Sequence, residues 1–187
     1  MEKDISISFT KATILGILIP LPLAMFFLAL YHHFWGYTEI IAFMKNTAFL
    51  FLLLLYVVLG SAFHELVHGL SWSFFAGKPL QTIHFGMHWK SLSPFAHCTE
   101  SMNARSYRIG CVMPYLLEGL IPSIVSVITG SGWLLFFGLI FTMGAGGDLL
   151  ILCIIRKLES KTLVRDHPTR VGCSVLIPDD DNRKSPL

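Results

Sequence analysis

Two histidines and a glutamate have the types and the spacing of a metal-dependent hydrolytic site. They form a His-Glu-x-x-His pattern, from His64 to His68, at the end of an apolar run that begins at Thr47. On a helix, residues four apart share a face, so His64 and His68 can present two imidazoles to one ion. Zinc takes neutral imidazole nitrogens and keeps one position open in catalytic sites. The pattern therefore predicts Zn²⁺ as the cofactor, both histidines as ligands, and Glu65 as the general base.

The setting of this pattern decides between two interpretations. Two such histidines can be merely hydrogen-bonded on a helix, with no metal between them. Here they end a long apolar segment, where polar and ionisable groups are costly to bury and usually serve a function. The metal interpretation is therefore favoured.

The composition is that of a membrane protein. Hydrophobic residues make up 53% of the 187 residues and charged residues only 14%, against about 25% charged in soluble domains. The mean hydropathy is +0.63. A net charge of only +2 gives no reason to expect a nucleic-acid partner. The expected partners are the lipid bilayer and a membrane protein or peptide substrate.

Charge-free runs predict about four transmembrane helices. A span needs about 20 apolar residues, and the Gly-rich turn at 129–132 divides a run that is too long for one span. Prolines at positions 20 and 22 predict a kink in the first span. The predicted spans are Ala12–Tyr31, Thr47–Leu70, Ile109–Ile128 and Trp133–Ile155.

The basic residues predict the orientation. Cytoplasmic loops carry an excess of lysine and arginine. Of the 14 such residues, only Lys45 falls in the first loop, and the others fall in the two termini or in the loop between spans two and three. Both termini are therefore expected to be cytoplasmic, and the metal motif to lie toward the cytoplasmic end of span two.

The loop between spans two and three predicts a β-hairpin. Residues 82–89 alternate apolar with polar or small side chains, which is the period of a half-buried strand. Lys90 to Pro94 reads as a turn, and Phe95 to Thr99 as the returning strand. The predicted fold is thus an all-α integral membrane protein with a small cytoplasmic-side hairpin. Residues 1–177 form one predicted domain, with a possible strand at 171–177, and residues 178–187 form a disordered tail.

A catalytic zinc site needs a third protein ligand, and two acids within the spans compete for that position. His64 lies roughly 28 Å along its helix from Lys45, at about 1.5 Å per residue. Asp148 lies roughly 26 Å from Ser131, and Glu118 only roughly 18 Å from Gly130. Depth in the membrane thus favours Asp148 without excluding Glu118. Nearby glycines at positions 144, 146 and 147 would let its helix approach a neighbour closely.

Several blocks of this sequence resemble a bacterial membrane family described as zincin peptidases. The resemblance covers about residues 50–173. It rests on His64-Glu65-x-x-His68-Gly69, Tyr107-Arg108-Ile109-Gly110, Pro114-Tyr115 to Pro122, Gly144-Ala145-Gly146-Gly147-Asp148-Leu149, and Asp166-His167-Pro168-Thr169.

The chain also resembles, more distantly, the site-2 proteases, which are intramembrane zinc peptidases. That resemblance implies cleavage of peptide bonds in or beside the bilayer and assigns Asp148 as the third ligand. In site-2 proteases a glycine follows this aspartate, whereas here Gly146 and Gly147 precede it and Leu149 follows. No role follows for Asp166-His167-Pro168 beyond a structural turn, and His97 is a loop histidine that could bind substrate or contribute to the metal site.

Together these observations predict a zinc-dependent membrane metalloprotease in a bacterial cell membrane. Two other functions remain open. One is a metal-binding membrane factor without hydrolase activity, which would need the histidines but not Glu65. The other is a zinc hydrolase of a lipid-like substrate, which would have no use for an edge strand that suits an extended peptide.

Overall fold

The structure, a computed structural model, describes residues 2–89, 93–167 and 170–177. Helices make up most of it. They are α1 (Phe9–Leu18), α2 (Leu21–Trp35), α3 (Thr38–Met44), α4 (Phe49–Ala76), α5 (Ala104–Pro114), α6 (Ile121–Thr129), α7 (Gly132–Gly144) and α8 (Gly146–Ile155). A 3₁₀ turn covers Leu80–Thr82, and a π-helical segment, Tyr115–Leu120, joins α5 to α6.

Three helical stretches of the described chain are long and apolar enough to cross a membrane. They are Thr10–Trp35, Phe49–Ala76 and Ala104–Thr129, and α7 with α8 forms a fourth candidate, bent by 46°. The first stretch is interrupted at Pro20, where a kink is predicted. The outer surface of α4 carries Leu50, Leu54 and Val58, which are 75%, 65% and 57% exposed. Such a row of exposed apolar side chains at helical spacing suits contact with lipid.

The strands form two antiparallel sheets. They are β1 (Glu2–Ile7), β2 (Ile83–His88), β3 (Ser93–Cys98), β4 (Met102–Asn103), β5 (Leu163–Asp166) and β6 (Val171–Leu176). β2 and β3 pair as the predicted hairpin between α4 and α5. The second sheet has the order β1-β6-β5-β4.

The four-stranded sheet corrects the all-α prediction. Its β6 matches the strand suggested at 171–177, but β1, β4 and β5 were not predicted. β1 begins with three charged residues, and its partner β6 comes from the other end of the chain, with Ile5 opposite Cys173. Gly172 is held close to β1, because a Cβ on it would overlap the carbonyl oxygen of Ile5. The three charged residues leave too few apolar positions in β1 for an alternation to be recognised, and local spacing cannot show that its partner is β6.

A buried core lies where α4, α5 and α8 meet the two sheets. It includes Trp72, Tyr107, Cys111 and Ile155, which are at most 3% exposed. A separate cluster around Phe27, Tyr31 and Leu135 joins α2 to α7. The first core therefore packs beneath the metal motif and fixes the relative positions of the elements that carry it.

Three parts of the sequence-based prediction lie outside the described residues. They are residues 90–92 of the turn predicted from Lys90 to Pro94, the Pro168–Thr169 step and the disordered tail at 178–187. The last two residues of that predicted turn, Ser93 and Pro94, belong instead to β3.

Candidate metal centre

Helix α4 presents the two histidines to the interior of the protein. His64 and His68 are buried, and their ring centroids lie 4.9 Å apart. The helix is uninterrupted because the segment Phe49–Ala76 contains no proline. It ends at Gly77, whose left-handed conformation terminates it. The four-residue spacing places both rings on one face, as predicted.

Asp148 reaches the same point from the first turn of α8. One carboxylate oxygen lies 3.1 Å from Nε2 of His64, and the other lies 3.2 Å from Nε2 of His68. α7 ends at Gly144, and the 46° bend between α7 and α8 turns Asp148 toward α4. A carboxylate is also favoured at the positive end of the α8 dipole.

The predicted close approach of glycines to a neighbouring helix holds for one of the three. Gly146 packs on α1, where an added Cβ would overlap the carbonyl oxygen of Gly16. At Gly144 and Gly147 an added Cβ would meet nothing within 4 Å, and both residues line a cavity. The contact with Gly16 therefore fixes the position of α8, while the other two glycines leave space beside Asp148.

The second nitrogen of each histidine is also held. Nδ1 of His68 lies 2.9 Å from the carbonyl oxygen of Gly110. Because a carbonyl can only accept, Nδ1 of His68 must donate, which leaves its Nε2 lone pair for a metal. Nδ1 of His64 lies 2.9 Å from Oε2 of Glu118. Glu118 therefore contacts the opposite side of the imidazole from Asp148.

Glu65 is directed to the neighbouring hairpin. Its Oε2 accepts a hydrogen bond of 2.7 Å from the backbone N–H of Ala96 in β3. That N–H points away from β2, because Thr99 donates to Thr82 and the hydrogen-bonded pairs of the hairpin alternate from there. The outer edge of β3 therefore faces α4, and one carboxylate oxygen of Glu65 remains for other partners.

These groups surround a cavity of about 310 Å³. The metal motif and Asp148 form part of its wall, and the β3 edge forms another part. Its lining residues are Ser61, His64, Glu65, His68, Trp72, Pro94, Ala96, Tyr107, Cys111, Phe141, Gly144, Gly147, Asp148, Ile151 and Asp166. A peptide main chain has room to enter a space of this size next to the histidines.

Asp166, for which the sequence indicates only a structural turn, is the last residue of strand β5 and lines the cavity. Its carboxylate accepts a 2.8 Å hydrogen bond from the hydroxyl of Tyr107 and lies 2.8 Å from Nδ1 of His97. The bond to Asp166 raises the pKa of His97 above its ordinary value, against the opposing effect of burial. His97 thus links the hairpin to the four-stranded sheet. The Asp166-His167-Pro168 block stands out in the sequence, but it lies too far along the chain from His97 for sequence spacing to show that the two residues are in contact.

The donor set fits a zinc ion. Among the described residues, His64, His68 and Asp148 form a group whose three ligand atoms lie within 4.8 Å of one another. Zinc bonds of about 2.0–2.2 Å place tetrahedral ligands about 3.4 Å apart, close to the separations of 3.1 and 3.2 Å from the carboxylate. Neither Glu118 nor His97 belongs to this group. Two imidazoles and one carboxylate also leave a fourth tetrahedral position open.

A family model matches residues 53–163, and the family is described as "Putative zincin peptidase". The chain belongs to this family. The matched region contains α4 with the two histidines and α8 with Asp148, and it ends at the start of β5. No curated protein and no solved structure shows significant similarity to the chain. Membership of the zincin family agrees with the metal-binding character of the donor set.

Proposed function

We propose that the protein is a zinc-dependent membrane metalloprotease that cleaves peptide bonds in or beside the bilayer, near its cytoplasmic face. The observation that carries this proposal is the convergence of His64, His68 and Asp148 within 4.8 Å, with Glu65 on the same cavity wall. Family membership supports the peptidase class. Candidate spanning helices that carry all four residues support the location in a membrane.

The chemistry divides between the metal and the protein side chains. Bound at the three ligands, zinc would polarise the scissile carbonyl and acidify a water molecule. Glu65 accepts the proton of the attacking water and donates it to the leaving amine. The N–H of Ala96 holds one oxygen of Glu65, so the other can face the reacting atoms. Gly110 and Glu118 keep the imidazoles oriented.

The edge of β3 is the proposed docking site for an extended substrate. Peptide bonds in a helix are internally hydrogen-bonded, so a membrane segment must unwind locally before it can be cleaved. Pro94 and Ala96 line the cavity, and the β3 backbone between them runs along its wall. Because the N–H of Ala96 already bonds to Glu65 and Pro94 has no N–H, the group of this edge that would meet the substrate is the outward carbonyl of Ala96, accepting from a substrate N–H. The sequence indicates only that an edge strand of the hairpin suits an extended peptide. The described part of β2 contributes no residue to the cavity lining, so we place the substrate on β3.

The cytoplasmic position of the site rests on the distribution of basic residues. Cysteines introduced at Lys45 and Ser131 should react with an impermeant reagent added outside intact cells. A cysteine at Ser91, between β2 and β3 in the sequence, should be protected until the cells are permeabilised. The reverse labelling pattern would place the cavity on the opposite face of the membrane.

Hydrolysis that depends on zinc tests the proposed activity. Purified protein in detergent should cleave peptides derived from membrane-protein segments, lose this activity after chelation, and regain it with about one zinc per chain. Retained cleavage in the chelated protein would contradict the proposal. Zinc binding without cleavage would favour a metal-binding factor, and cleavage of lipid esters but not peptides would favour a lipid hydrolase.

A further inference from the structure

Glu118 is a buried acid that the proposed reaction does not use directly. It is 6% exposed, in a candidate spanning stretch with a mean hydropathy of 1.8. A carboxylate in such surroundings is costly without a strong partner. Its hydrogen-bond partner is Nδ1 of His64, at 2.9 Å, on the side of the ring that faces away from Asp148.

The backbone around Glu118 is shaped to make this contact. Tyr115–Leu120 is π-helical, and the N–H of Ile121 bonds to the carbonyl of Leu116 across the wider turn. Pro122 explains the widening, because it has no N–H to give to the carbonyl of Glu118 and its ring would clash there in an α-helix. One extra residue in a turn rotates the following side chains by about 100°. Such π turns occur frequently at functional sites.

The two histidines are held differently. His68 donates to the neutral carbonyl of Gly110, whereas His64 is paired with a carboxylic side chain. A carboxylate that accepts from imidazole orients the ring, fixes the tautomer and makes the other nitrogen a better electron donor. The Gly110 carbonyl orients and fixes the tautomer with a weaker electronic effect. The donor strength of His64 can therefore be changed by substituting Glu118, whereas the partner of His68 is a backbone carbonyl that no side-chain substitution removes.

We infer that Glu118 is a positioning residue that strengthens metal binding by accepting the Nδ1 proton of His64. This inference rests on the proposed function, because it requires a metal at His64, His68 and Asp148. Outer partners of liganding histidines typically contribute a factor of 10–100 to metal affinity. Glutamine keeps an accepting oxygen but no charge, so its effect should be the smaller one. Alanine removes the hydrogen bond and should have the larger effect.

The experiment is a zinc competition titration of the full chain in detergent, using a chromophoric chelator. Wild type is compared with Glu118→Gln, Glu118→Ala and Ser123→Ala. Ser123 is a matched control, since it is fully buried in the following turn and its hydroxyl donates to the carbonyl of Gly119, its hydrogen-bond partner among the described residues. The expected loss of affinity is about tenfold for Gln and about 100-fold for Ala. The Ser123 variant should bind as wild type does.

A second readout separates positioning from a general structural role. Cobalt replaces zinc in such sites, and its visible absorption reports the geometry and donor strength of its ligands. Glu118→Gln should shift that absorption, whereas Ser123→Ala should leave it unchanged. The metal-free Glu118→Gln protein should unfold at the wild-type temperature, because its shape and one accepting oxygen are retained.

The possible failures can be told apart. If the wild type binds zinc and both Glu118 variants bind it equally well, the inference is wrong and the proposed function survives. An equal loss of affinity in Ser123→Ala would also overturn the inference. Complete loss of zinc in Glu118→Gln, with zinc retained in Asp148→Ala, would make Glu118 the ligand instead. If the wild type binds no zinc, both the inference and the proposed function fail.

Discussion

The cavity has two walls that are built in different ways. The helical wall consists of His64, His68 and Asp148, which lie on candidate membrane-spanning helices. The strand wall consists of Pro94, Ala96 and Asp166, which lie on the two sheets. Side chains from separate helices contact one another across the helical wall. A backbone N–H bonded to Glu65 and one His–Asp pair hold the strand wall in place.

This difference separates two tasks within one site. Substitutions in the helical wall should change metal binding, because its side chains supply every proposed ligand atom. Substitutions in the strand wall should change substrate handling and leave metal content intact.

The largest effect should come from the third ligand. Asp148→Ala should weaken zinc binding by more than about a thousandfold, since loss of a direct ligand exceeds the 10–100-fold effect of an outer partner. Asp166→Ala, which removes the strand-wall carboxylate, should retain zinc within a few-fold of wild type. Chelator competition on both purified variants provides the measurement. Equal loss in the two would abolish the distinction between the walls.

The next effect concerns the packing that positions the helical wall. Gly146→Ala forces a methyl group into the carbonyl of Gly16 on α1, and should destabilise the protein by about 1–3 kcal/mol. Gly147→Ala is the matched control, because its methyl group meets nothing within 4 Å. It should be neutral or stabilising by up to about 1 kcal/mol through helix propensity. Thermal unfolding of both variants tests this, and equal stability would contradict the α1–α8 contact.

On the strand wall, Ala96→Pro removes the N–H that holds Glu65. Proline is tolerable at this position because the N–H points away from β2, as at Pro94 two residues earlier. Peptide turnover should fall about tenfold, an order-of-magnitude expectation from the loss of one orienting hydrogen bond at 1.4 kcal/mol per decade. Zinc content should not change. Met87→Pro, at the outward edge of β2, is the control, and an equal decrease there would argue against a specific role for β3.

The smallest effect should be the pH dependence of the hairpin attachment. Asp166 raises the folded-state pKa of His97 above the unfolded value, so protonated His97 stabilises the attachment. This stabilising free energy is fully present below about pH 6.5. It is lost as the pH rises through the folded-state pKa of His97. Hydrogen exchange of β3 amides, corrected for intrinsic rates, should show more opening above this range. The groups that face His97 are Asp166 and, across the hairpin, His84. Asp166→Asn should flatten the pH dependence, and an unchanged profile would exclude the pair as its origin.

The same division explains how far the sequence could be interpreted. Apolar runs, helical spacing and the alternation at residues 82–89 are local patterns, and they predicted candidate spans, the hairpin and the face shared by His64 and His68. Depth along the helices favoured Asp148 at that face. The β1–β6 pairing and the His97–Asp166 pair join segments that are distant in the chain. The spacing of residues within one segment cannot show which distant segment it contacts.

Glu118 shows an intermediate case. Its residue type and its position within a span made it a candidate ligand in the sequence. A π-helical turn decides whether the Glu118 carboxylate meets Nε2 of His64, where a metal would bind, or Nδ1 on the other side of the ring. One extra residue in that turn changes the direction of the side chain by about 100°. Sequence spacing alone therefore left two candidates for the third ligand.

The most direct test of the central claim compares Glu65→Gln with wild type in a single preparation. Zinc content and peptide hydrolysis are measured on the same purified protein, reconstituted with zinc. We expect about one zinc per chain in both proteins and at least a hundredfold slower hydrolysis in Glu65→Gln, since general-base catalysis typically contributes about 10²–10⁴-fold. Hydrolysis by Glu65→Gln at the wild-type rate, with zinc bound, would contradict the proposed mechanism.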